Sequence, residues 1–235
     1  MDIKIRSDEK LYMEELKSWL REESETPLEE MGSFFEKRVG GYEEHMSVWK
    51  EAYRKMALLV PEGTENILDL GCGTGLELDE IFKVQPEVCV TGIDLCPAML
   101  EKLKEKHGDK KINIICGDYF TVDLEKEIYD LAISFESLHH FTLNQKKELY
   151  RKIYQALKDG GIFIECDYIA CCEEEEKILY CEYLSKREKA TVNGFVHFDI
   201  PLTAEHEIEA LNFAGFKSIN VIDSINGATF IRAVK

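Results

Sequence analysis

Lysine and arginine are scarce beside the acids, 29 against 46 in 235 residues, which leaves a formal charge of −17. A protein that grips nucleic acid neutralises phosphates with clustered cations, so this deficit predicts no nucleic-acid partner. The short basic clusters Lys146-Lys147 and Lys186-Arg187 alternate with acids and read as solvated helix faces. No apolar run reaches the roughly 18 residues of a membrane span, which predicts no membrane partner. The start, Met1-Asp2-Ile3-Lys4, has no apolar secretion stretch, and the expected location is cytoplasmic. Cysteine occurs eight times but never as C-x-x-C, so the thiols are expected to be reduced and mostly buried.

What is present suits an α/β domain with elaborations, the 45% hydrophobic content being ordinary for a globular chain. Tyr12, Leu16, Trp19 and Leu20 recur at helical spacing, and this helix should end near Glu22. Pro27 and a run of acids predict a loop over Arg21–Gly32, and a second helix is expected over Tyr42–Leu58 with Trp49, Ala52, Tyr53 and Met56 on its apolar face. Residues 1–60 are thus taken as an amino-terminal helical lid and 61–235 as the main domain. From Asn66 onward, short apolar runs (Asn66–Leu70, Val88–Ile93, Ile112–Cys116, Leu131–Phe135, Ile162–Cys166) alternate with helical segments. That pattern predicts a doubly wound, mostly parallel sheet. Pro97 opens one helix and Lys106-His107-Gly108 closes it; Thr142 with Gln145 forms a capping box for another, which Gly160-Gly161 should stop. Thr203 caps a late helix that Gly215 ends, and Asn226-Gly227 joins Ser218–Ile222 to Thr229–Val234 as an antiparallel carboxyl-terminal hairpin. The segment 167–202 is too long for a plain connection and is expected to form a helical cap.

The chemistry gathers at the carboxyl ends of the strands. Asp69-Leu70-Gly71-Cys72-Gly73-Thr74-Gly75 joins the first strand to a helix, a backbone that can turn tightly and present helix N–H groups to a ligand. A dinucleotide fingerprint would need glycine at 76, where Leu76 stands, and the acid at 69 suits a cationic ligand group better. Asp94 ends the second strand where a carboxylate accepts ribose hydroxyls. Asp118 ends the third, where it can accept from the exocyclic amine of an adenine.

These motifs, with the Leu157–Gly161 turn, resemble class I S-adenosylmethionine-dependent methyltransferases of the small-molecule type, from about Asn66 to the carboxyl terminus. The resemblance implies a seven-stranded sheet in the order 3-2-1-4-5-7-6 and S-adenosylmethionine as cofactor. It implies that Gly71, Gly73 and Gly75 border the methionine part, Asp94 holds the ribose, Asp118 meets the adenine, and Asp69 meets the amino group directly or through water. Leu95 and Tyr119, which follow two of those acids, and Ser134, at the end of the fourth strand, are grouped with them. Phe34–Tyr42 resembles the lid of small-molecule members, with Arg38 placed to pair with a carboxylate and Tyr42 to pack on the methionine chain. The acceptor is then expected near His139 and His140, adjacent histidines that should point different ways, and near His197, whose neutral ring could act as a base. No third ligand stands at metal spacing beside the histidine pair, so no metal is expected. The same glycine turn and acid also fit a nicotinamide-dependent oxidoreductase, and a non-catalytic nucleoside-binding regulator shares the site. Cys166, Cys171 and Cys172 raise a thiolate-based metalloid methyltransferase. The acceptor atom (N, O or S) and the oligomeric state are open.

Overall fold

A computed structural model describes residues 3–23 and 25–235; Met1, Asp2 and Ser24, with the amino-terminal reading that includes the first two, lie outside the described residues. Helix α1 (Glu9–Glu22) starts where the Asp8 carboxylate accepts from the Leu11 N–H, and it buries Met13 and Leu16. Trp19, which shares the helical spacing of Leu16, is 47% exposed. The expected loop holds a short strand, β1 (Glu29–Glu30), and leads into α2 (Met31–Arg38). The single helix expected over Tyr42–Leu58 is instead three pieces: α3 (Tyr42–His45), a 3-10 turn (Met46–Trp49) and α4 (Lys50–Leu59). A contact remote in sequence acts at the break, where Asn226 Nδ2 from the hairpin turn donates to the Val48 carbonyl.

The central sheet follows as β2 (Asn66–Leu70), α5 (Leu76–Val84), β3 (Cys89–Asp94), α6 (Pro97–His107), β4 (Ile112–Cys116), β5 (Tyr129–Phe135), α7 (Leu143–Ala156) and β6 (Leu157–Tyr168). Then come α8 (Glu173–Lys189), β7 (Val196–His197), α9 (Ala204–Ala214), β8 (Lys217–Ile225) and β9 (Ala228–Val234). The seven strands order as β4-β3-β2-β5-β6-β9-β8, with β9 antiparallel to both β6 and β8. This is the order the family resemblance implies. Alternation with period two sends Ile67, Leu131, Ile133 and Ile164 to the face covered by α4 and α5, and Leu68, Leu70, Ala132 and Phe163 to the face covered by α7 and α9. The chain reverses direction across the sheet between β2 and β5, which opens a crevice at the carboxyl ends of those strands.

Several local expectations change. Helix α7 stops at Ala156, with Leu157 already extended, so Gly160-Gly161 does not end the helix but sits in an irregular start of β6, Gly160 at φ +75°. Lys146, read as part of a solvated face, is fully buried among Glu165, Glu207 and Tyr150. Lys186, read the same way, is also buried and donates to the Glu23 and Thr26 carbonyls. Only Cys72, Cys96 and Cys166 are buried; Cys89, Cys116 and Cys181 are exposed, because strand β3 starts, and β4 and the outer face of α8 lie, near the surface.

The amino-terminal segment and the 167–202 insertion meet above the crevice. Helix α1 packs Met13 and Leu16 on Leu179 of α8, and β1 pairs antiparallel with β7, Glu29 opposite His197. No described helix is long and apolar enough to cross a membrane.

Candidate functional site

The turn after β2 is held by its neighbour strand: the Gly71 and Cys72 N–H groups both donate to the Ile93 carbonyl, at 2.8 and 3.2 Å. Gly71 lies at φ +75°, and a Cβ there would meet Ser137 Oγ at 2.0 Å, so only glycine fits. Asp94, at the end of β3, accepts from the Gly73 N–H at 2.9 Å and the Cys96 N–H at 2.7 Å. Burial raises its pKa, the two N–H bonds opposing that shift. Gly71, Gly73, Asp94, Leu95, Asp118, Tyr119 and Tyr42 line one narrow cleft of about 70 Å³. The fold therefore gathers these expected cofactor contacts around a single space.

The others stand elsewhere. Gly75 backs onto Leu103 and His107 and serves the close approach of α6. Ser134 is buried in β5, its hydroxyl donating to the Leu70 carbonyl. Arg38 faces a second cavity and is paired with Glu29 at 2.8 Å, its guanidinium stacked 3.6 Å from the Phe34 ring. Asp69 is fully buried, and neither of its carboxylate oxygens has a hydrogen-bond donor. Its neighbour Glu77, also buried with an unpartnered oxygen, has its pKa raised to about 7 by burial, and the Asp69 value rises well above normal for the same reason and through Glu77. Two buried carboxyls without a cation are costly. A chamber of about 10 Å³, roughly the size of one water, lies between Tyr42, Gly71, Thr74 and Glu77. The arrangement fits a ligand ammonium reached through such a chamber.

The second cavity, about 750 Å³, lies under α2 and α3 and is walled by Arg6, Phe34, Trp49, Tyr168 and His197 among others. Phe35, Tyr42, Glu136 and His140 line both spaces, so the two meet at one shared wall. Glu136 adopts φ +47°, rare for a side chain of this kind and typical of strain held at a functional position. Its carboxyl is buried, with Oε1 unpartnered, and burial pushes its pKa to about 8.

All three expected histidines come together in the larger cavity, and of the three only His140 stands on the shared wall. Contrary to the expectation that they would diverge, His139 and His140 turn to the same patch, their rings 4.1 Å apart, with the His197 ring 4.7 Å from His140. His139 Nδ1 is 2.5 Å from Asp167 Oδ1, while its Nε2 is 3.5 Å from Asp199 Oδ1. His140 Nδ1 is 3.3 Å from the same Asp199 oxygen and 3.2 Å from the Phe198 carbonyl. Burial pulls the His139 pKa down, but Asp167 and Asp199 together lift it well above the ordinary value. His140 is lowered by burial and by its charged neighbour. His197, stacked on Phe34 at 3.5 Å between ring centres, is lowered to about 3 by burial and by His140. So weak a base is poorly matched to proton abstraction near neutral pH.

Glu77, Glu136, Asp167 and Asp199 were not among the residues singled out from the sequence. Asp199 stands two residues after His197, but nothing in its spacing ties it to His139.

The methyltransferase-domain family matches residues 67–161. The carboxy-S-adenosyl-L-methionine synthase of Trichodesmium erythraeum is 30% identical over 185 residues, 70% of this chain and 71% of that relative. The chain belongs to the class I S-adenosylmethionine-dependent methyltransferase family. S-adenosylmethionine is its cofactor, and the nicotinamide reading is set aside. The methyltransferase is also 35% identical over 95 residues to malonyl-[acyl-carrier protein] O-methyltransferase of Priestia megaterium, 40% of this chain but 34% of that relative. The chain thus spans about a third of that protein's length. Among solved structures, human N-acetylserotonin methyltransferase in complex with SAM superposes with TM-score 0.61 at 21% identity, over 88% of this chain and 59% of that one. Streptomyces venezuelae DesVI gives 0.62 at 13% identity, over 83% and 97%. At such identities the two structures speak for the fold of the methyltransferase alone.

Proposed function

We propose that the chain transfers the methyl group of S-adenosylmethionine to a small, flat, anionic acceptor held in the 750 Å³ cavity. The observation that carries this reading is the shared wall: Phe35, Tyr42, Glu136 and His140 border both the nucleoside cleft and the larger cavity. The cofactor supplies a methyl group on a cationic sulfur, and transfer is an in-line displacement that needs no protein nucleophile. The chain's part is to orient and to exclude water. Asp94 and Asp118 hold the nucleoside, the buried Asp69–Glu77 pair favours the amino end, and α2 with Tyr42 closes the site.

The cavity's own composition supports the acceptor class. In a chain of charge −17 it brings Arg6, Lys37 and Arg38, the cations an anionic group could meet, together with the acids Glu136 and Asp199, and has Phe34, Phe35, Trp49 and Tyr168 as aromatic walls. Two relatives carry anionic groups in their names, malonyl and carboxy, in keeping with such a pocket.

The test is incubation with S-adenosylmethionine and fractionated small metabolites, followed by mass spectrometry of both nucleoside and acceptor. The expected result is S-adenosylhomocysteine together with an acidic compound one methylene heavier. Cofactor binding with no release of S-adenosylhomocysteine in any fraction would reduce the chain to a nucleoside-binding protein. A nucleoside product heavier than the cofactor would place it with the carboxy-S-adenosylmethionine synthases instead.

A further inference from the structure

The structure points to a divalent transition-metal site at the wall of the acceptor cavity, formed by His139, His140 and Asp199. The three donor atoms lie within 4.8 Å of one another, and each belongs to a residue lining the cavity. Two of the spacings are informative: Asp199 Oδ1 is 3.5 Å from His139 Nε2 and 3.3 Å from His140 Nδ1. Charge-assisted hydrogen bonds close to about 2.7–2.9 Å, so these are too long to be good ones, and Asp199 Oδ1 is buried with no hydrogen-bond partner. Bonds of about 2.0–2.1 Å from nitrogen and about 2.0–2.2 Å from carboxylate oxygen to an ion at the tetrahedral angle set the donor atoms about 3.3–3.5 Å apart. The observed spacings are therefore those of a coordination edge.

A supporting contact has the form found behind metal-bound histidines. His139 directs Nδ1 to Asp167 at 2.5 Å, which turns Nε2 toward Asp199 and the cavity. Asp167 is itself fixed, accepting from the Leu138 N–H at 3.0 Å. The backbone reinforces the turn, because the Ile200 N–H donates to the His139 carbonyl at 2.8 Å and so docks the loop carrying Asp199 onto the histidine pair. Nearby, the Glu136 carboxyl is buried, faces the same cavity and keeps Oε1 unpartnered. A cation in reach of these oxygens relieves their burial.

Two imidazole nitrogens and one carboxylate suit an ion of the zinc or iron(II) class better than magnesium, which favours octahedral oxygen donors. The ion takes the place of the proton on His139 Nε2, which leaves to solvent, while Nδ1–H stays on Asp167. At His140 it takes the place of the proton that Nδ1 offers to the Phe198 carbonyl at 3.2 Å; that proton leaves to solvent and the neutral ring carries its one N–H at Nε2 instead. The remaining coordination positions face the cavity. If the proposed methyl transfer holds, they would bind the acceptor's oxygen, nitrogen or sulfur and lower its pKa, the proton-removing task to which His197 is poorly suited.

The experiment is calorimetric titration of the chelator-treated full chain with Zn²⁺ and, in parallel, Mg²⁺, with S-adenosylhomocysteine binding measured on each sample to show that it is folded. One Zn²⁺ per chain and no Mg²⁺ heat is the expected result. Asp199→Asn should weaken Zn²⁺ binding at least about tenfold, and Asp167→Asn by about 10- to 100-fold, the usual effect of losing the carboxylate behind a ligating histidine. Cys171→Ser should change nothing, which separates this site from the neighbouring Cys171–Cys172 pair with Glu9. Folded wild-type chain that binds S-adenosylhomocysteine but no Zn²⁺ would overturn the proposal, as would an Asp199→Asn variant with undiminished affinity or loss of binding in Cys171→Ser. Methyl transfer by metal-free chain would remove the ion from the mechanism and leave the proposed activity standing.

Discussion

At the scale of single residues, the acids of the site carry different burdens. Asp94 is the hinge between the glycine turn and β3, since its two backbone bonds aim the carboxylate into the cleft. Asp94→Ala should weaken S-adenosylhomocysteine binding by about 1.5–3 kcal/mol by calorimetry, the scale for losing charge-assisted hydrogen bonds. Glu77 titrates for another reason. Burial raises it from 4.5 to about 7, so the folded chain keeps a proton that the unfolded chain releases above pH 4.5. Stability from this group is therefore lost as pH rises from 4.5 to about 7, and Glu77→Gln should flatten that part of the melting-temperature profile. A cofactor ammonium would favour the ionised pair and expel its proton, so wild-type affinity for the cofactor should fall as pH drops below about 7. Identical profiles for wild type and variant would mean that Glu77 does not titrate there.

At the scale of elements, α2, which lines both the cleft and the larger cavity, is a short helix held at its ends. The Glu30 carboxylate caps α2 by accepting from the Gly32 and Ser33 N–H groups at 3.0 and 2.7 Å. Lys37 and Arg38 tie the other end to Glu29. Loss of such a cap costs about 0.5–2 kcal/mol, so Glu30→Ala should speed S-adenosylhomocysteine release by roughly 2- to 30-fold in stopped-flow. Helix α7 is fastened differently, by Lys146 buried between Glu165 of β6 and Glu207 of α9, with Tyr150 donating to both carboxylates. Lys146→Met would leave two buried acids without their cation and should destabilise the chain by about 3–5 kcal/mol in denaturant unfolding. Adding Glu207→Gln should recover part of that loss, because it removes one of the stranded charges.

For the whole molecule, charge is partitioned between surface and site. The net −17 sits on a chain whose larger cavity nevertheless collects Arg6, Lys37 and Arg38. A long polyanion meets the acidic exterior first, whereas a small anion can enter the cavity and meet its cations. Transfer RNA and duplex DNA should therefore show no gel shift at low-micromolar protein and about 150 mM salt. A shift that survives such salt would mean that a local basic stripe outweighs the global field.

The sequence by itself determined the features set by near neighbours. Period-two apolar runs, the Thr142–Gln145 capping box and the Asn226-Gly227 turn are local, and each stands where its own few residues require. The positions of the glycine turn, Asp94 and Asp118 were legible for a related reason: each stands at or just beyond the end of a strand, and a parallel sheet delivers strand ends to one edge. Tertiary structure decided what no spacing encodes. Lys146 looked solvated because its helix face shows charges, yet two carboxylates far along the chain make burial tolerable. The break between α3 and α4 occurs beside a side chain from the terminal hairpin. Asp199 reaches His139 and His140 only because the loop before α9 returns to the end of β5 and is docked there by the Ile200 N–H. Contacts across about sixty residues have no signature in local pattern, since the free energy that fixes them comes from burial and pairing completed only when the chain has closed.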